Sequence, residues 1–139
     1  MRTQSGLTLI ELMVVVVIVG ILASIAYPSY REQVIRSNRS EAKVALEERA
    51  QAFEKCFTRS MDYSSLACDN AATAATTPNG KYSVSAPAAN RSATAFRLQA
   101  TPQGAQATDA ECMTFTLTET GLRGVSGSAS ATPERCWNR

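Results

Sequence analysis

The fold is decided by residues 6–26, which read GLTLIELMVVVVIVGILASIA. From Leu12 to Ala26 this stretch has no charged side chain, so the carboxylate of Glu11 stands alone at the start of an apolar run. On insertion scales a charge costs roughly 2.5–3.5 kcal/mol at the centre of a membrane helix, and less near its end. A carboxylate in this position therefore indicates a functional site, and it needs a partner.

The apolar stretch is long enough to cross a bilayer. Taken from Leu7 to Tyr27 it has 21 residues, which is about 31 Å of helix. A cleaved secretory signal peptide is the alternative, because Ser24-Ile25-Ala26 resembles a small-x-small cleavage site. A retained helix is favoured, since Glu11 would lie inside the apolar region of such a signal and the helical pattern continues beyond Ala26. Pro28 predicts a kink or a local break.

The segment Gly6-Leu7-Thr8-Leu9-Ile10-Glu11-Leu12 resembles the class III signal of type IV prepilins. The resemblance implies that a prepilin peptidase removes the leader, residues 1–6, by cutting after Gly6. Leu7, where the family usually has Phe, would then be the N-methylated first residue, and Glu11 the assembly residue. It also implies that the interval from Gly20 to Pro28 can lose helix in the assembled filament.

Two partners for Glu11 follow from this interpretation. The amine of Leu7 in a neighbouring chain would pair with the carboxylate in an assembly and fix the register of the subunits. The amine of the same chain lies one helical turn away and could pair with it in the isolated monomer. Pairing between chains is favoured.

From Ser29 to about Arg59 the pattern predicts an amphipathic helix. Its apolar stripe recurs every three or four residues and consists of Ala42, Leu46, Ala50, Phe53 and Phe57. The opposite face carries charged side chains, including Arg31, Glu32, Arg36 and Arg39, and is predicted to be solvated, with Glu32 and Glu41 as partners of the arginines. The first half of the helix therefore needs lipid or other subunits around it, and the second half needs a sheet on one side.

Alternating apolar and polar residues predict three antiparallel strands, Lys81–Ser85, Thr94–Thr101 and Cys112–Thr118, and a short fourth strand around Val125. Cys56 to Gly80 is predicted to be an exposed connection, and residues 126–133 a flexible one. The expected core joins Phe53 and Phe57 to the inward-facing residues of the strands, which are Tyr82, Phe96, Leu98, Phe115 and Leu117. The sequence thus predicts an α+β fold in which one long helix, apolar and then amphipathic, packs on a small antiparallel sheet. Residues 7–28 form the hydrophobic helix and residues 29–139 the globular domain.

Four cysteines, Cys56, Cys68, Cys112 and Cys136, show no zinc-binding spacing. Downstream of an export signal they indicate two disulfides in an oxidising compartment. Three connectivities are possible; Cys56–Cys68 with Cys112–Cys136 is favoured because each closes a short loop.

The stretch Cys112 to Gly121, followed by Cys136-Trp137, resembles the C-terminal half of minor pilins of the PilE type. The resemblance implies a structural subunit of the type IV pilus, held in the bacterial inner membrane with its domain in the periplasm, and displayed on the pilus after assembly. Its partners would be other pilins, the assembly machinery and prepilin peptidase, and its roles twitching motility, adhesion or DNA uptake. A major pilin or a type II secretion pseudopilin is the alternative. DNA binding is less favoured, because no basic patch is interleaved with aromatic residues.

The composition argues against catalysis and against a cofactor. The chain has no histidine, so it lacks the commonest general base, and it has no Gly-rich phosphate loop. The acids in the loops are candidates for calcium, as in pseudopilins, but the four cysteines favour a pilus protein. These acids are Asp62, Asp69, Asp109 and Glu111. Trp137, beside a cysteine, is predicted to be packed.

Overall fold

The computed structural model describes residues 8–138, so the predicted cleavage at Gly6 and methylation at Leu7 lie outside the described residues. Helix α1 runs from Leu9 to Ser60. The chain divides into two compact units, Met1–Val34 and Ile35–Arg139. The helix is continuous through Gly20 and Pro28, so of the two outcomes expected at Pro28, a kink or a break, the break is not found.

The second unit contains a five-stranded antiparallel sheet in which each strand pairs with the next along the chain. The strands are β1 Ala75–Thr76, β2 Tyr82–Ser85, β3 Arg97–Pro102, β4 Phe115–Thr118 and β5 Arg123–Val125. Two short helices complete the regular structure, α2 Asp69–Ala72 and α3 Pro133–Trp137, together with 3₁₀ turns at Leu66–Cys68, Ala88–Asn90 and Gly104–Thr108. The predicted α+β fold, with the long helix packed on an antiparallel sheet, is confirmed.

The core lies between the apolar stripe of α1 and the inner face of the sheet. Phe53 is fully buried and stacks on Phe96 at 4.8 Å between ring centroids. The predicted core residues of the strands, Tyr82, Phe96, Leu98, Phe115 and Leu117, are all buried, whereas Phe57 is only partly buried. Period-two alternation therefore identified the inward-facing residues correctly.

The structure corrects the prediction in three places. The strands begin later than predicted, since β3 starts at Arg97 and β4 at Phe115. The connection after Cys56 is not simply an exposed loop, because it forms α2 and β1 and buries Ala71 and Ala72. After the connection at residues 126–133, the chain forms a short helix that the sequence did not predict, α3.

Trp137 is packed, as predicted. Its indole Nε1 donates a hydrogen bond to the Gly124 carbonyl oxygen at 3.1 Å, and its ring meets Phe115 edge-on at 5.7 Å. The guanidinium of Arg123 lies over the same ring, 5.0 Å from its centroid. Trp137 therefore packs the C-terminal helix against β4 and β5.

Both cysteine pairs are disulfides, Cys56–Cys68 and Cys112–Cys136. The first closes a loop at the end of α1, and the second joins the start of the β4 segment to α3. This is the connectivity favoured by the short spacing.

Replacing Cys112 and Cys136 by Ser should destabilise the second unit by about 3 kcal/mol. The two cysteines are separated by 24 residues, and their disulfide restrains the loop between them in the unfolded chain. The pair Cys56→Ser/Cys68→Ser, separated by 12 residues, should cost less. Urea unfolding of a fragment beginning at Ser29 measures both losses. An equal midpoint for the wild type and the Cys112/Cys136 variant would contradict the expectation.

Candidate assembly and binding sites

Glu11 lies in the first turn of α1. Its backbone N–H donates to the Thr8 hydroxyl oxygen at 3.4 Å, so Thr8 caps the helix. A carboxylate in the first turn is favoured by the positive end of the helix dipole. Among residues 8–138 the structure gives the Glu11 carboxylate no partner, and its side chain is exposed. In an apolar environment, a partner would have to come from the chain terminus or from another molecule.

The helical segment that follows Glu11 exposes its apolar side chains on every side. Each large aliphatic side chain from Leu9 to Ile25 is more than half exposed, from 51% at Val14 to 76% at Leu9. By length and composition this is one helix that could cross a membrane, and none of its most apolar window is buried within the structure. An apolar surface of this extent requires lipid or other protein around it, and it is consistent with membrane anchoring.

A second group of polar residues lies buried in the folded unit, around Arg39. The guanidinium binds Asp109 in a bidentate manner, with Nε 2.7 Å from Oδ2 and Nη2 2.6 Å from Oδ1. Nη2 also lies 2.9 Å from Glu111 Oε2. The side chains of Arg39 and Asp109 are only 7% and 2% exposed. This is an ion pair between α1 and the connection that precedes β4.

The burial of Arg39 corrects the prediction that it lies on a solvated face. Arg39 precedes Ala42 by three residues and Leu46 by seven, so it continues the apolar stripe by one step. Extending the stripe toward the N-terminus could have identified it, because an arginine on a buried stripe needs an acidic partner. Glu41 is not that partner: its carboxylate accepts hydrogen bonds from the backbone and side-chain amides of Asn79.

Beside the ion pair, a chain of neutral hydrogen bonds connects the helix to the sheet. The Asn38 amide donates to Gln106 Oε1 at 2.9 Å, and Gln106 Nε2 donates to the Tyr82 hydroxyl at 3.1 Å. Burial raises the pKa of Tyr82 to about 12, so the phenol stays neutral. Sequence analysis missed this network, because Asn38 and Gln106 are 68 residues apart and neither belongs to a motif.

Glu111 connects Arg39 to the C-terminal helix. Its second carboxylate oxygen lies 2.8 Å from Arg135 Nε, and Arg135 directly precedes Cys136 of the disulfide. The hydrogen bond from Arg39 holds the pKa of Glu111 below its ordinary value, and the charges of Arg39 and Arg135 act in the same direction. The cluster therefore ties α1, the β4 segment and α3 together by charge.

The depressed pKa of Glu111 predicts a loss of stability in acid. The folded unit binds this proton less readily than the unfolded chain, so the contribution is present above the ordinary pKa of about 4.3 and is lost as the pH falls through the folded value. Wild type should therefore lose more stability between pH 7 and pH 3 than Glu111→Gln. Urea midpoints at the two pH values measure this, with Glu134→Gln, an exposed acid of α3, as the control. Equal losses in Glu111→Gln and wild type would contradict it.

The loop acids considered for calcium are engaged in other contacts. Asp109 and Glu111 bind Arg39, Asp69 pairs with Arg91 at 3.2 Å, and Asp62 accepts hydrogen bonds from Ser64. Within residues 8–138 no group of His, Cys, Asp and Glu is arranged to hold a metal ion. Calcium binding gains no support from this arrangement.

Comparison with known families gives two matches. The model of the prokaryotic N-terminal methylation motif matches residues 1–27. The model described as type IV minor pilin ComP, DNA uptake sequence receptor, matches residues 28–116. The fold and the exposed N-terminal helix define a type IV pilin. More particularly, the chain belongs to the family of the type IV minor pilin ComP, since that model covers more than half of it.

Curated relatives are pilus subunits. The fimbrial protein EcpC of Eikenella corrodens is 44% identical over 82 residues, which are 58% of this chain and 52% of EcpC. The fimbrial protein of Moraxella nonliquefaciens is 55% identical over 42 residues, 30% of this chain and 27% of that protein. The type IV major pilin PilE1 of Neisseria gonorrhoeae is 56% identical over 39 residues, 28% and 24% of the two chains. The chain thus spans about half or less of the length of these relatives.

Proposed function

We propose that this chain is made as a prepilin, cut after Gly6, methylated on Leu7 and assembled into a type IV pilus as a minor, non-enzymatic subunit. Before assembly it is held in the inner membrane by residues 7–28, with the folded unit in the periplasm. The observation that carries this proposal is the apolar helical segment, exposed on every side and headed by Glu11. The partners are other pilins and the assembly machinery.

In this proposal Glu11 pairs with the Leu7 amine of a neighbouring subunit. Two opposite charges in an apolar bundle are stable only when paired, so the contact sets the register between subunits. The interval between Gly20 and Pro28 loses helix in the fibre, where neighbouring chains surround it. Pro28 favours the change, because it lacks the N–H that would complete the helix at this point.

The processing step is tested by the mass of the protein extracted from membranes. A chain that begins at methylated Leu7 supports the proposal, whereas a chain that begins at Tyr27 indicates a cleaved signal peptide. The assembly step is tested by shearing fibres from cells that express a tagged chain. Recovery of the tag in the sheared fraction supports a pilus subunit, and its confinement to the membrane fraction contradicts one. Recovery with a secretion apparatus instead would favour a pseudopilin.

A second function, capture of DNA for uptake, is favoured by the family model, whose description is a DNA uptake sequence receptor. The folded unit would bind DNA at the pilus surface, and the membrane helix would connect it to the fibre. Mobility-shift measurements with duplex DNA and the detergent-solubilised full chain test this role. Absence of a shift at 50 mM salt would leave the subunit with a structural role alone.

A further inference from the structure

One face of the sheet is free of the core and has a distinctive composition. Tyr82 and Val84 of β2 point into the core, so the residues between and after them point to the opposite side. The same alternation holds in β3 and β4. We call this side the outer sheet face; it consists of Ser83, Ser85, Arg97, Gln99, Thr101, Thr116 and Thr118.

The strand register brings the polar side chains of this face side by side. Ser83 lies opposite Thr101, and Gln99 lies between Ser85 on one side and Thr116 on the other. At the edge, Gly124 faces Thr116, and a Cβ there would lie 2.5 Å from the Thr116 hydroxyl oxygen. Glycine at this position therefore keeps the threonine hydroxyl in place and the edge of the face open.

Two cations lie near opposite ends of the outer sheet face. Arg97 is exposed and lies opposite Thr118. Lys81 extends the ladder beyond β2, since its carbonyl oxygen accepts a hydrogen bond from the Gln103 N–H at 2.8 Å. By alternation it shares the side of Ser83. Arg97 and Gln103 are six residues apart on an extended strand, so the cations are about 20 Å apart.

Neither cation is neutralised within the described part of the chain. Among residues 8–138, no carboxylate forms an ion pair with Lys81 or Arg97, and none of the outer-face residues is acidic. Glu119 lies at the rim beside Arg97, where its carboxylate accepts a hydrogen bond from the Phe96 N–H at 3.2 Å.

We propose that the outer sheet face binds the phosphate backbone of duplex DNA, which rests on the DNA-uptake role proposed above. Lysine, arginine, serine, threonine and glutamine side chains are common phosphate ligands in protein–DNA contacts. A duplex carries one negative charge per about 1.7 Å of its axis, so it supplies phosphates along the whole of this face. Backbone contacts carry no sequence information directly. The face holds DNA of any sequence, and sequence is read elsewhere.

The test compares two double variants that remove the same charge. Lys81→Gln/Arg97→Gln changes the outer sheet face, and Lys55→Gln/Arg59→Gln removes two exposed cations of α1. Fluorescence anisotropy with the full chain in nonionic detergent measures the affinity for labelled duplexes of two unrelated sequences between 50 and 200 mM salt. We expect the outer-face variant to bind about tenfold more weakly at 50 mM salt. The slope of log K against log salt, which is negative, should become less steep by about 2. The α1 variant should bind like the wild type.

The outcomes distinguish the DNA-uptake role from binding at the outer sheet face. If the wild type binds DNA and both double variants lose affinity equally, net charge and not this face is responsible, and only binding at this face is contradicted. Binding at this face is also contradicted if the outer-face variant has normal affinity, or if it loses affinity for only one of the two sequences. If the wild type binds neither duplex at 50 mM salt, both binding at this face and the DNA-uptake role are contradicted. Far-UV circular dichroism melts verify that both variants are folded.

Discussion

Replacing Glu11 by Ala is expected to leave the chain in the membrane and to remove it from fibres. Insertion depends on the apolar residues that follow, and losing a lone charge favours insertion slightly. Assembly, in contrast, would leave the Leu7 amine unpaired in an apolar bundle, and breaking a buried pair costs about 3–5 kcal/mol. We therefore expect incorporation to fall at least a hundredfold, measured as the ratio of tagged chain in sheared fibres to tagged chain in membranes.

The same variant separates the two partners that the sequence allows for Glu11. A pair formed within one chain exists before and after assembly, so its loss would affect both states alike and leave incorporation unchanged. A pair between chains exists only in the fibre. Normal incorporation of Glu11→Ala would therefore contradict intermolecular pairing.

Two further substitutions serve as controls. Glu11→Gln keeps the shape of the side chain and removes the charge, so it should fail nearly as severely as Glu11→Ala. Glu134→Ala removes one negative charge from the exposed helix α3 and should assemble normally. A loss of incorporation in Glu134→Ala would show that net charge is responsible. Full incorporation of Glu11→Gln would show that the shape of the side chain, and not its charge, is required.

The elements that the sequence predicted well are those with a local cause. The helix follows from a long uncharged run and a stripe of period 3.6, and strands β2 to β4 from alternation of period two. The start of β4 was predicted too early because Met113 has a positive φ of 48°, which interrupts the extended backbone. Strand β1 was missed because it has only two residues, both exposed, and its alanine and threonine have no pattern.

The buried polar cluster could be predicted only in part. The position of Arg39 on the apolar stripe is a local signal, but its partners Asp109 and Glu111 are 70 and 72 residues away. Nothing in the connection before β4 distinguishes Asp109 from a solvated acid. Its role appears only when the fold brings it against α1. There its carboxylate also accepts hydrogen bonds from the backbone N–H groups of Glu111 and Cys112.

Arg39→Met is expected to destabilise the folded unit by about 3–5 kcal/mol. The substitution keeps the aliphatic part of the side chain and leaves Asp109, 2% exposed, without its counter-charge. Arg123→Met is the matched control, because Arg123 and Glu47 form an exposed ion pair with side chains about half accessible. Such pairs contribute about 0–1 kcal/mol, and the contact of Arg123 with the Trp137 ring adds about 0.5–1 kcal/mol, so the control should still lose less stability than Arg39→Met. Urea unfolding of the fragment beginning at Ser29 measures both values.

The double variant Arg39→Met/Asp109→Asn isolates the charge of Asp109. The asparagine oxygen can still accept the backbone N–H of Cys112, and no unpaired charge remains in the core. It should therefore recover at least half of the stability that Arg39→Met loses. If instead the double variant is less stable than the single one, the loss in Arg39→Met arises from packing and not from an uncompensated carboxylate. The ion pair would then contribute little to holding α1 on the sheet.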